Sequence, residues 1–406
     1  MINLETPKKF GPLVAQARQV ADEVFRPISR KYDREEHARP KELDMLAAVI
    51  DGMNDGSDLG GAGAAGVRRG SNGNGASADA NRNGSNLSTA LSIMELCRGD
   101  VGLLLSVPRQ GLGNSAIASV ADDEQLERFA GRWAAMAITE PEAGSDSAAI
   151  RTTAVLDGDE YVLNGEKIYV TAGERAELVV VWATLDRSLG RAAIKSFVVE
   201  RSNPGLKLDR LEHKLGIRAS DTAAFRLEDC RVPKEDLLGP PGIEVTNGFA
   251  GAMQTFDNTR PLVAAMAVGL ARACLEETKA LLGQAGVTVD WGAPVATQTA
   301  AAAEYVAMDA DYEAAYLLTL QAAWMADNGK PNSLQASMAK AKAGRTCVDV
   351  ALRCVKLAGT LGYGEDLLLE KWARDAKILD IFEGTQQIQL LIIARQLLGL
   401  SSAQLR

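Results

Sequence analysis

Two histidines are all that this 406-residue sequence contains, and neither His37 nor His213 lies beside a nucleophile signature. That removes the usual ground for a serine or cysteine nucleophile activated by imidazole, and both are expected to be structural. Cysteine is also sparse. Cys97, Cys230, Cys274, Cys347 and Cys354 are odd in number, scattered and free of CxxC spacing. Neither a disulfide framework nor a metal site is indicated, and buried thiols are expected. Basic residues are outnumbered: the formal net charge is −9. This argues against nucleic acid as a partner, because binding phosphates requires clustered Lys and Arg. No apolar run reaches membrane-spanning length, and Met1 to Phe10 lacks the basic-then-apolar plan of a secretory signal. The expectation is an acidic protein of the cytoplasm.

What is present is apolar mass, arranged first in helical and then in β texture. With 47% apolar residues and a length beyond what one core usually holds, two or three packed units are expected. Apolar residues recur at three and four positions from Pro12 to Ile50 and from Leu87 to Phe129, the spacing of amphipathic helices. Between them, Asp51 to Ser88 holds ten glycines and six asparagines, too little apolar surface to offset ordering entropy, and predicts a mobile loop. After Ala135, β-branched runs such as Tyr161–Leu163, Leu178–Ala183, Lys195–Val199 and Ala223–Leu227 are divided by turn signals, among them Asp157-Gly158 and Asn203-Pro204-Gly205. From Ile243 the chain is again Ala- and Leu-rich through Gln284, Gln298–Asn328, Ser333–Ala358 and Leu367–Leu398, which fits a closing helix bundle. Gly329-Lys330-Pro331-Asn332 should stop one helix and leave Ser333 to cap the next. The expected fold is mostly α with a central β domain: residues 1–134 helical, 135–240 β, and 241–406 a helical bundle.

Three segments carry polar chemistry. Ala137-Ile138-Thr139-Glu140-Pro141-Glu142-Ala143-Gly144-Ser145-Asp146 gathers hydroxyls, a glycine and backbone donors, which suits a phosphate-rich ligand and equally an ordinary capped turn. Tyr169 and Thr171 are two apart and on a regular strand would project to one face. They could hold a flat ring, or the tyrosine could simply be half buried in a hairpin. Glu383, in Ile381-Phe382-Glu383-Gly384-Thr385-Gln386-Gln387, is a carboxylate in an apolar stretch before a glycine. Apolar surroundings raise a carboxyl pKa and make it a better proton acceptor near neutral pH. The alternative is a helix-end Glu paired with a nearby Arg or Lys.

Taken in this order, the segments resemble the acyl-CoA dehydrogenase family from about Arg26-Pro27 to Arg395. They are joined by Lys214-Leu215-Gly216-Ile217-Arg218-Ala219-Ser220-Asp221-Thr222 and Phe256-Asp257-Asn258-Thr259-Arg260-Pro261. The resemblance implies an N-terminal helical domain, a β-barrel-like middle domain and a C-terminal four-helix bundle. It implies an FAD enzyme that converts an acyl-CoA thioester to a trans-2-enoyl-CoA, as in fatty acid β-oxidation. Flavin contacts are implied at Ile138, Thr139, Gly144, Ser145, Tyr169, Thr171, Thr385 and Gln387, with Tyr169 where many members carry tryptophan. A coenzyme A channel is implied at Ser145, Asp257, Arg260 and Gly384. Glu383 is similar to the family's catalytic base, with its backbone N–H polarising the thioester carbonyl. An electron-transfer flavoprotein is the implied electron acceptor, and a tetramer the implied assembly.

The chain also departs from the family pattern. Thr259 stands where another branch carries its base, which favours Glu383, and Met136 stands where an aromatic is common. Gln284, Gly286-Val287, Lys356 and Gly359-Thr360 differ from family positions that reach the neighbouring subunit's FAD. That asymmetry points to a hetero-oligomer in which a related chain supplies those contacts, with a rearranged homotetramer as the alternative. Other readings are an acyl-CoA oxidase and a non-catalytic subunit that binds acyl-CoA or a partner.

Overall fold

The structure, a computed structural model, describes residues 6–47, 83–108, 112–243, 250–401 and 404, with side chains in the long segment after 250 described from Thr259 onward. Most of the tract expected to be a mobile loop, residues 51–82, lies outside the described residues. Helix α1 (Gly11–Val20) passes through a π turn at Ala21–Phe25 into α2 (Arg26–Arg34). Pro12 and Pro27 fall in first turns, where a missing N–H costs no intrahelical bond. The helical reading from Pro12 onward is interrupted after α2, where His37 takes a left-handed φ of 70°.

Helix α3 (Ser85–Gly99) begins inside the Gly- and Asn-rich tract, so the expected loop ends before Ser88. A remote carboxylate makes this possible. Asp327 accepts the backbone N–H groups of Gly84, Asn86 and Leu87 at 2.7, 2.9 and 3.1 Å, satisfying donors that the helix itself leaves open. Helices α4 (Leu112–Val120) and α5 (Asp123–Arg128) follow, the second opened by a reciprocal capping box between Asp122 and Gln125.

Eight strands come next: β1 (Ala134–Ala137), β2 (Thr153–Asp157), β3 (Glu160–Thr171), β4 (Leu178–Thr184), β5 (Ile194–Glu200), β6 (Leu206–Leu211), β7 (Thr222–Pro233) and β8 (Leu237–Leu238). They form one mixed sheet in the order β6-β7-β3-β2-β4-β5-β8, with β1 parallel to β4. β6 and β8 end the path, so among the described residues the hydrogen bonding leaves the sheet open rather than closed as a barrel. β4 shows why the sheet is central. Val179, Val181 and Ala183 enter one apolar cluster, while Leu178, Val180 and Trp182 enter another that includes Ala116 and Ile117 of α4. Both faces are covered, and the strand is therefore apolar at every position but its last.

The chain closes with α6 (Ala250–Gln284), α7 (Ala300–Asp327), α8 (Ser333–Ala358), α9 (Leu369–Leu379) and α10 (Gln386–Leu398). The break before α8 falls where expected, but Ser333 is its first residue rather than its cap. Asn332 occupies the cap position, and its side-chain amide turns back to donate to the Ala322 carbonyl at 3.2 Å. Helices before and after the sheet share one apolar core, in which Phe25, Met94 and Leu103 join Val268, Cys347 and Trp372. All five cysteines are buried thiols. Among the described residues, no helix is long and apolar enough to cross a membrane.

Candidate active site

Glu383 sits in the turn between α9 and α10, at a left-handed φ of 53°, followed by Gly384 at 90°. A glutamate in this conformation is costly, and the turn is held from outside. The Gln389 side-chain amide donates to the Glu383 and Gly384 carbonyls, both at 3.1 Å, and Lys340 Nζ donates to the Gly384 carbonyl at 2.8 Å. A Cβ at Gly384 would come within 2.5 Å of Gln389 Nε2, so glycine is required there on two counts. Thr385 ends the turn by capping α10, its hydroxyl accepting the Ile388 N–H at 3.4 Å. Gln387 lies exposed on that helix.

The Glu383 carboxylate accepts a hydrogen bond from the Thr259 hydroxyl at 2.5 Å. Thr259 thus reaches Glu383 across 124 residues of sequence. Burial raises the Glu383 carboxyl above its ordinary value, against the lowering influence of the Thr259 hydroxyl and the Lys340 and Arg260 charges. Arg260 is buried on α6, 3% exposed. The Asp257 side chain lies outside the described residues.

A second group forms around the loop after β1. Glu140 is buried there and accepts from the backbone N–H groups of Arg151 and Thr152 at 2.5 and 2.9 Å, and from the fully buried Lys167 at 2.7 Å. Burial would raise the Glu140 carboxyl, but Lys167 and Thr152 hold it below its usual range; burial brings Lys167 down to about 8. Lys167 also donates to the Ile138 carbonyl, and the Ile168 N–H donates to the Thr139 carbonyl, so the loop is fastened to β3. Ile138 is buried, Thr139 partly so, and Gly144 and Ser145 are exposed.

On β3 the register slips by one residue between Lys167 and Val170, a bulge at which Tyr169 adopts a φ of 58°. The bulge changes the phase of the strand between Lys167 and Val170: the buried positions pass from Lys167 to Val170, leaving Tyr169 62% exposed and Thr171 partly buried on either side of it. The Thr139, Ser145 and Thr171 hydroxyls make no hydrogen bond to another described residue. These residues fit a flavin: they offer unspent hydroxyls, an exposed aromatic face and an open glycine, on a loop whose frame is fixed by a buried ion pair.

The two groups are linked by residues 214–222. Asp221 accepts from the Glu174 N–H at 2.9 Å just beyond β3, while the Ile217 N–H donates to Asp375 of α9 at 2.5 Å. Gly216 permits this approach, since a Cβ there would lie 2.6 Å from the Arg374 backbone. Asp375 and Asp100 flank the Lys371 ammonium at 2.5 and 2.7 Å, all three fully buried. Burial would lower Lys371, but the two carboxylates outweigh it and hold the ammonium above its ordinary value. Sequence reasoning gives no separate role to this node or to Glu140, Lys167, Lys340 and Gln389, whose partners are fixed only by the fold. The two histidines meet as well, with ring centroids 5.3 Å apart and a 3.0 Å contact between His213 Nδ1 and Glu36.

Helices before and after a central mixed sheet, with an acidic turn on the closing helices, define the class, and sequence comparison agrees. Residues 135–230 match the acyl-CoA dehydrogenase middle domain and residues 246–398 the acyl-CoA dehydrogenase C-terminal domain. The chain belongs to the acyl-CoA dehydrogenase family. It is 34% identical over 407 aligned residues to the mitochondrial short-chain specific acyl-CoA dehydrogenase of Bos taurus, covering 98% of this chain and 92% of that one. It superposes on butyryl-CoA dehydrogenase from Megasphaera elsdenii with a TM-score of 0.83 at 29% identity, over 98% of this chain and 100% of the other. A chain from the solved structure of an electron transferring flavoprotein of Acidaminococcus fermentans, described in terms of flavin-based electron bifurcation, gives a TM-score of 0.81 at 30% identity, over 98% and 100%.

Proposed function

We propose that this oxidoreductase carries out FAD-dependent dehydrogenation of an acyl-CoA thioester with Glu383 as the base. The observation that carries the proposal is the Glu383 carboxylate itself, partly buried, held by Thr259 and raised in pKa, in a turn whose backbone is fixed by Gln389 and Lys340. A carboxylate whose pKa is raised gains proton affinity, which suits a base. Glu383 Oε removes the α-proton, and Thr259 steadies the carboxylate that receives it. The Glu383 backbone N–H makes no hydrogen bond to another described residue, which suits the role of polarising the thioester carbonyl. FAD, held by Ile138, Thr139, Gly144, Ser145, Tyr169 and Thr171, supplies the acceptor for the hydride leaving the β-carbon.

An electron-transfer flavoprotein is the proposed electron acceptor and a tetramer the proposed assembly. Butyryl-CoA, by the name of one relative, is the first substrate to try. Mixing the flavin-loaded enzyme with butyryl-CoA without air should bleach the flavin. Reoxidation by electron-transfer flavoprotein but not by air supports a dehydrogenase, whereas fast reoxidation by air indicates an oxidase.

A further inference from the structure

Lys340 is 1% exposed in the middle of α8, between the buried Ala336 and Ala343. An ammonium in such a place loses its hydration and normally recovers the cost from a carboxylate. Lys340 faces two, Asp380 and Glu383, yet its hydrogen bond goes to the neutral Gly384 carbonyl. Asp380 is served by other cations, Lys377 at 3.4 Å and Arg345 at 3.7 Å. The lysine is thus aimed at the turn that carries Glu383.

We propose that Lys340 is a positioning residue for the base: its ammonium anchors the left-handed Glu383-Gly384 turn through the Gly384 carbonyl and lends the Glu383 carboxylate a nearby positive charge. This rests on Glu383 being the base. Two donors, Lys340 and Gln389, share the Gly384 carbonyl, but only Lys340 brings charge. Burial brings its ammonium down to about 8, opposed by Asp380 and Glu383 and reinforced by Arg260 on α6. Below that pH Lys340 is cationic and opposes the burial that raises Glu383; above it the charge is lost and the carboxyl rises further. Arg260 and the Thr259 hydroxyl act on the carboxylate in the same direction as Lys340, so removing Lys340 takes away one of three groups that favour the ionised form.

The test is the rate of anaerobic flavin reduction by butyryl-CoA as a function of pH, measured on flavin-loaded wild type, Lys340→Gln, Lys340→Met, Lys340→Arg and Glu383→Gln. Lys340→Gln keeps a donor and drops the charge, so the acid limb should move upward by about one pH unit with the limiting rate little changed. Lys340→Met should show the same displacement and a limiting rate roughly tenfold lower, because the anchor is lost too. Lys340→Arg should return the acid limb to its wild-type position. An acid limb that stays in place in both Lys340→Gln and Lys340→Met, whatever the fall in rate, is what a merely structural lysine would give and overturns the inference. If Glu383→Gln itself reduces flavin at the wild-type rate, it is the base assignment that fails. Should Lys340→Met not fold, Lys340→Gln and Lys340→Arg complete the comparison.

Discussion

Glu383 draws its chemistry from a contest between burial and three groups that oppose it. Removing one of them should be visible as a pH effect. Thr259→Val preserves shape and deletes the hydroxyl that stabilises the ionised carboxyl, so the acid limb of kcat/KM should rise by up to about one pH unit. The sign follows from the direction: a base that is harder to ionise is protonated, and inactive, to a higher pH. A downward movement would show that Thr259 does not donate to the carboxylate. At this scale the sequence reveals residue types but not partners. Glu383 is legible because an acidic residue interrupts an apolar stretch before a glycine, and the hydroxyls of Thr139, Ser145 and Thr171 stand out in short polar strings. Lys340 and Gln389 are not, because a lysine or glutamine on a helix looks solvated until the facing turn is in place.

At the scale of elements, helix and strand textures are readable from periodicity, while their ends depend on distant groups. The start of α3 is the clearest case. Nothing near Gly84 foretells a helix in that tract, and the cap is supplied by Asp327 from the end of α7. Asp327→Ala should leave three N–H groups without their acceptor and cost about 1–2 kcal/mol in urea unfolding; an unchanged midpoint and slope would deny the cap its role. The bulge in β3 is equally hidden, since the stretch from Lys167 to Val170 reads as regular strand until the register against β7 is known. The Glu383 turn carries a third expectation. Gly384→Ala meets both a φ of 90° and the Gln389 amide, so it should lose stability by roughly 1–3 kcal/mol. Catalysis should fall with it, since the carboxylate depends on that backbone.

For the whole molecule, the helices on either side of the sheet are joined by one core and by the buried Asp100–Lys371–Asp375 node, with Ser29 donating to Asp100. The sequence separates helical from β regions but does not show that its first and last helices share a core. Lys371→Met would strand two buried carboxylates and should cost about 3–5 kcal/mol, read as a lowered chemical-denaturation midpoint. Gln284, Lys356 and Thr360 are exposed on the protomer, and so are Leu352, Leu361, Tyr363, Leu390 and Leu397 in the closing helices. Exposed apolar side chains there fit a covered surface between subunits. The departures from the family pattern at Gln284 and Lys356 motivate the proposal that the partner is a related chain which supplies flavin contacts. This chain expressed alone should then be flavin-poor and recover FAD with that relative, whereas stoichiometric FAD on an active homotetramer would exclude the requirement.

The central claim is that Glu383 takes a proton from the carbon beside an acyl-CoA thioester. It is tested most directly by anaerobic stopped-flow reduction of the bound flavin, comparing wild type with Glu383→Gln at equal flavin and saturating butyryl-CoA. The wild-type flavin should bleach, while Glu383→Gln should bind the thioester and bleach on the order of 10²–10⁴-fold more slowly. Reduction of the Glu383→Gln flavin at the wild-type rate would contradict the assignment.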